Sequence, residues 1–204
     1  MPTKNVVKVF YPDTYHHVYN RGWNRGKIFL DGDDYLRFEQ LLTCRLGPHV
    51  EKDKKGREYP HYYPGLRLNA YCLMGNHFHM LIHIGDDTTQ LSSMMSGVIS
   101  AYTAYFNKKY KRRGSLFESS YKAVQIVDDS QFMHITRYIH LNHSKYRQWL
   151  HSSYSDYIGH SREWIHSEDV LGLFDSKEQY IEFINDYEAM QCERDEIKQS
   201  LYGA

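Results

Sequence analysis

A chain of 204 residues with 25 basic and 25 acidic side chains can bury one sizeable core, with or without an appendage, and lacks the global field that draws a protein to polyanions. Contact with nucleic acid would have to come from local patches. There is no signal-peptide h-region and no apolar run long enough to span a bilayer. Cys44, Cys72 and Cys192 lack zinc-like spacing and cannot all pair, so free thiols in a soluble, cytoplasmic protein are expected.

Residues 1–13 are mixed and carry no pattern. Tyr15 to Arg21 reads as a strand closed by Gly22, and Asn20-Arg21-Gly22 as a turn followed by Trp23, Asn24 and Arg25. Arg21 and Arg25 fit solvated turn charge as well as phosphate contacts. Trp23 fits core packing as well as stacking on an unpaired base. Asp31 to Asp34 form an acidic helix start, after which Tyr35, Phe38, Leu41 and Leu42 recur at helical spacing. Gly47 to Gly65, with Pro48, Pro60 and Pro64, predicts a long extended loop or a ragged hairpin. Leu66 to Met74 is an apolar strand, and Gly75-Asn76 turns it into a second strand over 77–84.

In that second strand Phe78, Met80, Ile82 and Ile84 share one face, while His77 and His79 stand together on the other. Two imidazoles so placed can both reach one divalent ion; a histidine-rich chain can also place two on a half-exposed strand without chemical purpose. Thr88 or Thr89 can cap the next helix, which carries Leu91, Met94, Met95, Val98, Ile99, Tyr102 and Phe106. It ends in Lys108, Lys109, Lys111, Arg112, Arg113 and Gly114, a basic run suited either to solvent or to a phosphate track. Ser115 to Val127 is expected as the last strand. The order strand, helix, strand, strand, helix, strand predicts an α+β chain with a ferredoxin-like split βαβ antiparallel sheet.

A further helix starts at Asp128-Asp129-Ser130. Phe132, Ile135 and Ile139 form its docking stripe; His134, Tyr138 and Asn142, four apart, are expected on another face. From about 150 the pattern changes, and Tyr180, Phe183, Ile184 and Tyr187 mark one more helix. The expected division is a core over 1–149 and a packed helical extension over 150–204, with its last residues frayed.

Several phrases together resemble the single-tyrosine HUH transposases, and among them the REP-associated tyrosine transposases. They are Tyr19-Asn20-Arg21-Gly22, with Ile28-Phe29 and Asp34-Tyr35 downstream; Tyr71 through His79; Gly114-Ser115-Leu116-Phe117 with Tyr121-Lys122; Arg137 through Asn142; and Ser152-Ser153-Tyr154. They keep the family's order over roughly residues 15–175. The resemblance implies that His77 and His79 hold Mg²⁺ or Mn²⁺, that Asn142 completes the metal shell, and that Tyr138 is the nucleophile. His143 stands where relatives often have proline, which implies a changed helix end, and the long loop 47–65 looks enlarged.

The implied activity is metal-dependent nicking and rejoining of single-stranded DNA through a 5′-phosphotyrosine, at hairpin or repetitive extragenic palindrome-like DNA. The implied setting is cytoplasmic and nucleoid-associated, as a monomer or homodimer. Arg21, Arg25, Lys108, Lys109, Lys111, Arg112 and Arg113 are the candidate DNA contacts, and His134 a conceivable accessory to Tyr138. Two other readings are a hairpin-binding protein that no longer cuts, and a zinc hydrolase using His77, His79 and a further histidine such as His83.

Overall fold

The computed structural model describes residues 8–187. Cys192 and the expected fraying of the last residues lie outside them. Four strands form one sheet: β1 (Thr14–Arg21), β2 (Leu66–Met74), β3 (His77–Ile84) and β4 (Lys122–Ile126). Their order is β2-β3-β1-β4 with every neighbouring pair antiparallel, the arrangement of a split βαβ fold.

Alternation along the strands sorts side chains onto two faces. Phe78, Met80, Ile82 and Ile84 of β3 join Val18 of β1 in a core covered by α1 (Gly32–Leu46) and α2 (Gln90–Lys109). Leu81 faces the other way, into a second core with Phe132 and Ile139 of α3 (Asp129–His140). The histidines of β3 therefore stand under α3.

Local chemistry sets the helix starts. Asp31 accepts from the Asp34 backbone N–H at 3.2 Å, and Asp128 from that of Gln131 at 2.7 Å. The expected threonine cap of α2 does not form: Thr89 makes no side-chain cap bond, and the Asp87 carboxylate instead accepts from its N–H and Oγ1. The expected last strand is shorter than 115–127. Its ladder begins at Lys122, and ahead of it Phe117 makes a single bridge to Gly22. The loop over 47–65 holds a small bridge between Lys52 and Glu58, and is tied back by Tyr62 N–H to the Arg45 carbonyl.

Beyond residue 150, α4 (Tyr154–Ile158), α5 (Glu168–Leu171) and a helical stretch over 177–187 follow. Ser152 bridges to Cys72, and Ile165 to Leu68, both on β2. Tyr154, Tyr157, Tyr180 and Ile184 complete the second core, which residues on both sides of position 149 thus build jointly. Cys44 and Cys72 are free and buried. Among the described residues no helix is long and apolar enough to cross a membrane.

Candidate active site

β1 and β3 are the central strands, and their register sets Arg21 opposite His77 and Tyr19 opposite His79. Above this end of the sheet, α3 presents Tyr138. His77, His79 and Tyr138 line one pocket of about 390 Å³, together with Arg21, Arg25, Asn76 and Lys122. The His77 and His79 rings lie 5.1 Å apart, and the Tyr138 ring stands edge-on to His79 at 5.2 Å. Tyr138 is 48% exposed, so the phenol belongs to the pocket wall and not to the core.

The protonation pattern of His77 follows from its neighbour. The Asn76 amide nitrogen donates to the Arg25 carbonyl at 3.0 Å, so its Oδ1 is the atom 2.6 Å from His77 Nδ1. An amide oxygen only accepts, hence Nδ1 carries the hydrogen and Nε2 of a neutral His77 keeps its lone pair. Burial lowers the His77 pKa, and Arg21 adds to this, while the Asn142 contact works the other way. The lone pair points at Asn142 Oδ1, 3.0 Å away. Two acceptors face each other there, a clash that an Asn142 amide turned to donate relieves; as two acceptors, the same atoms would both be donors to a bound cation.

His79 is buried and its Nδ1 lies 2.8 Å from Nε2 of His17, a second buried imidazole. Burial, then the neighbouring His17 and His77, push the His79 pKa down to about 3; burial pushes His17 down to about 4. Neutral imidazoles are what a divalent ion binds, and Asn142 adds a hard oxygen, so the donor set fits one catalytic cation with open positions. Among the described residues no group of three His, Cys, Asp or Glu converges on a metal site. His83 lies six residues along β3 from His77, roughly 20 Å at strand rise, and its Nε2 meets Asp13 at 2.8 Å. The geometry separates it from the pair that a His83-dependent zinc site needs.

The remaining candidates divide. Arg21 and Arg25 line the pocket, Arg21 in an ion pair with Glu118 at 2.8 Å. Lys109 is engaged within the fold: its ammonium meets Asp31 at 2.6 Å and the buried Asp34 at 2.9 Å, locking the end of α2 to the start of α1. Lys108, Lys111, Arg112 and Arg113 are exposed around the end of α2. Two helix-face expectations change. α3 ends at His140, so Asn142 reaches His77 from the following turn. His134 turns away from Tyr138, with its Nδ1 2.7 Å from Arg137 and its ring against Phe183.

Sequence reasoning missed His17, Asn76 and Lys122. The signal for His17 was present, since Tyr15, His17, Tyr19 and Arg21 alternate along β1 on the face that carries His77 and His79.

Residues 63–142 match the family model described as "Transposase IS200 like". Over that segment the chain is similar to the IS200-like transposases. The family that the motifs resemble is thereby borne out, and the segment runs from the end of the long loop through Asn142. The fold has a solved counterpart. A REP-associated tyrosine transposase, solved bound to a REP hairpin, is 12% identical with a TM-score of 0.55, covering 81% of this chain and 89% of that one. A Deinococcus radiodurans R1 protein described as a transposase candidate is 14% identical with a TM-score of 0.41, covering 67% of this chain and 96% of that one. No curated protein matches the chain.

Proposed function

We propose that this chain is an IS200-like transposase that nicks and rejoins single-stranded DNA at hairpin ends with Tyr138 as nucleophile and a divalent metal, Mg²⁺ or Mn²⁺, held by His77, His79 and Asn142. One observation carries the reading: a half-exposed phenol shares a pocket, within a single chain, with two imidazoles, one of which meets the Asn142 carboxamide at 3.0 Å. A bound divalent cation supplies Lewis acidity at a scissile phosphate oxygen.

The side chains do the rest. Tyr138 Oη attacks phosphorus, forming a 5′-phosphotyrosine, and the broken P–O bond leaves a 3′-hydroxyl that takes up a proton. The Tyr138 proton leaves as the bond forms, and the exposure of the phenol gives that proton a route to water. Arg21, Arg25 and Lys122 bring positive charge to the same pocket, where the phosphate would lie. Reversal with a different 3′-hydroxyl rejoins the strand, so the bond energy is conserved. A solved fold relative carries a REP hairpin, which makes such hairpins the first substrates to try.

The test is incubation of a labelled hairpin bearing single-stranded flanks with the chain and Mn²⁺, then a denaturing gel and adduct mapping. The expected result is a covalent adduct at Tyr138, absent in Tyr138→Phe and in chelator while hairpin binding persists. A Tyr138→Phe chain that still cuts and forms the adduct sinks the assignment.

A further inference from the structure

Between β1 and α1 the chain makes a tight turn, with a 3-10 segment at Trp23–Arg25. Asn24 and Arg25 both hold left-handed backbone angles, φ 49° and 58°. The turn is pinned by Trp23 N–H to the Leu116 carbonyl at 3.0 Å and by Asn76 to the Arg25 carbonyl. It separates two hollows. Arg25 lines the pocket of His77, His79 and Tyr138 on one side; Trp23 lines a groove of about 400 Å³ on the other.

The floor of that groove is apolar, from the buried Phe106 and Leu116. Its rim has two cations, Lys27 and Arg112, and two exposed apolar side chains, Trp23 at 63% and Leu30 at 52%. The Arg112 guanidinium lies over the Phe106 ring at 5.6 Å. Among the described residues neither Lys27 nor Arg112 has a carboxylate partner in an ion pair. A large exposed indole that shares a groove with two such cations and an apolar floor matches the two parts of a single strand: a flat base and a charged backbone.

We propose that this groove binds an unpaired base of single-stranded DNA flanking the scissile phosphate, stacked on Trp23, with neighbouring phosphates on Lys27 and Arg112. The inference rests on the nicking function proposed above and extends it: a strand that enters the pocket at Arg25 crosses the turn and lies in the Trp23 groove. The strained turn is then a fixed ridge that sets the spacing between the cut phosphate and the stacked base.

The experiment measures fluorescence anisotropy of three labelled hairpins on the full chain in metal-free buffer: one blunt, one with a single-stranded flank, one with an abasic flank. Trp23→Ala is expected to weaken binding of the flanked hairpin about 5- to 150-fold, leaving the other two unchanged, and Trp23→Phe to recover most of the loss. Lys27→Ala and Arg112→Ala should each reduce the salt slope for the flanked hairpin by about one. If Trp23→Ala binds the flanked hairpin as tightly as the parent, the groove proposal is overturned even where Tyr138 adducts form. If adducts never form but flank binding depends on Trp23, the groove stands and the nicking reading falls.

Independently, the contact between His17 and His79 assigns His17 a positioning role. With His79 Nδ1–H donating to His17 Nε2, the His79 Nε2 lone pair is presented to the pocket, as that of His77 is by Asn76. Nitrogen-15 spectra of the metal-free chain at neutral pH read this directly. The expected pattern is a protonated Nδ1 and an unprotonated Nε2 on His79, lost in His17→Ala and kept in His17→Gln, whose amide oxygen also accepts. Mn²⁺ affinity should fall about 10- to 100-fold in His17→Ala and recover in His17→Gln. Finding the His79 hydrogen on Nε2 in the parent chain overturns the role, as does an unchanged tautomer in His17→Ala.

Discussion

Asn76 sits in the hairpin turn next to His77, and its amide does two jobs: it holds the Arg25 carbonyl and fixes which nitrogen of His77 is protonated. Truncating Asn76 to alanine leaves every proposed metal donor in place but frees the His77 tautomer. The expected outcome is a drop in Mn²⁺ affinity of about 10- to 100-fold, read by titration calorimetry, with the secondary structure unchanged. Asn142→Ala, by contrast, removes a donor itself. Its single-strand cleavage should fall to background at low Mn²⁺ and return in part as Mn²⁺ is raised; cleavage that ignores Mn²⁺ would take Asn142 out of the metal shell.

At the scale of elements, the turn after β1 and the junction of α1 with α2 make contrasting predictions. A Cβ on Gly22 would lie 2.1 Å from the Gly26 carbonyl oxygen and 2.8 Å from the Ile28 side chain. Gly22→Ala must therefore displace the turn that carries both Trp23 and Arg25. It should lower cleavage more than it lowers the urea midpoint, which a paired activity and unfolding measurement decides. Lys109 behaves in the opposite way. Its ammonium contacts the fully buried Asp34, which also accepts from Tyr105 and Tyr110. Lys109→Met should lower the urea midpoint and leave the salt slope of DNA binding unchanged. Lys111→Ala and Arg113→Ala should leave stability alone, and a phosphate contact at either would show as a salt slope smaller by about one. In the first core, Phe38 is fully buried against Phe29, Phe78 and Tyr102, so Phe38→Ala should cost about 3–5 kcal/mol in chemical denaturation.

At the scale of the whole molecule, the buried imidazoles of His17, His79 and His140 give a pH signature. Burial pushes His140 down to about 3, helped by the nearby Arg162 charge, and places His79 near 3 and His17 near 4. His140 is held between the Tyr180 hydroxyl at 2.6 Å and the Ser153 hydroxyl at 2.8 Å, which ties α3 to the segments beyond residue 150. These folded pKa values lie below the ordinary ~6.5 of an unfolded histidine, so the unfolded chain binds the extra protons. Stability from these three groups is intact above about pH 6.5 and declines as pH falls toward 4 and 3. The decline approaches about 1.4 kcal/mol per pH unit for each histidine. Urea unfolding at several pH values should show it, and His140→Gln should make the slope below pH 6.5 shallower by about one proton. A flat stability profile through this range would show that the imidazoles are not held neutral.

Most strand and helix positions were legible because the signals were local: an apolar run over 66–74, period-two alternation over 77–84, acidic caps at Asp31 and Asp128, helical stripes in α1, α2 and α3. The same alternation put His77 and His79 on one face, opposite Phe78 and Met80. What no local pattern contains is the partner across the sheet. β1 is paired with β3 through contacts some sixty residues apart, so the His17–His79 contact and the place of Lys122 in the pocket emerge only from the register. Likewise a basic side chain reads the same whether it faces solvent or a buried carboxylate, and Lys109 was separable from Lys111 only once α1 and α2 were packed together. The sequence by itself determined the succession of strands and helices along the chain, the two-faced histidine strand and the helix that bears Tyr138. Tertiary structure alone decided which nitrogens face the pocket, that Trp23 stands outside the core, and that a single chain brings phenol and imidazoles together, because each depends on groups distant along the chain meeting at hydrogen-bonding or ring-contact distance.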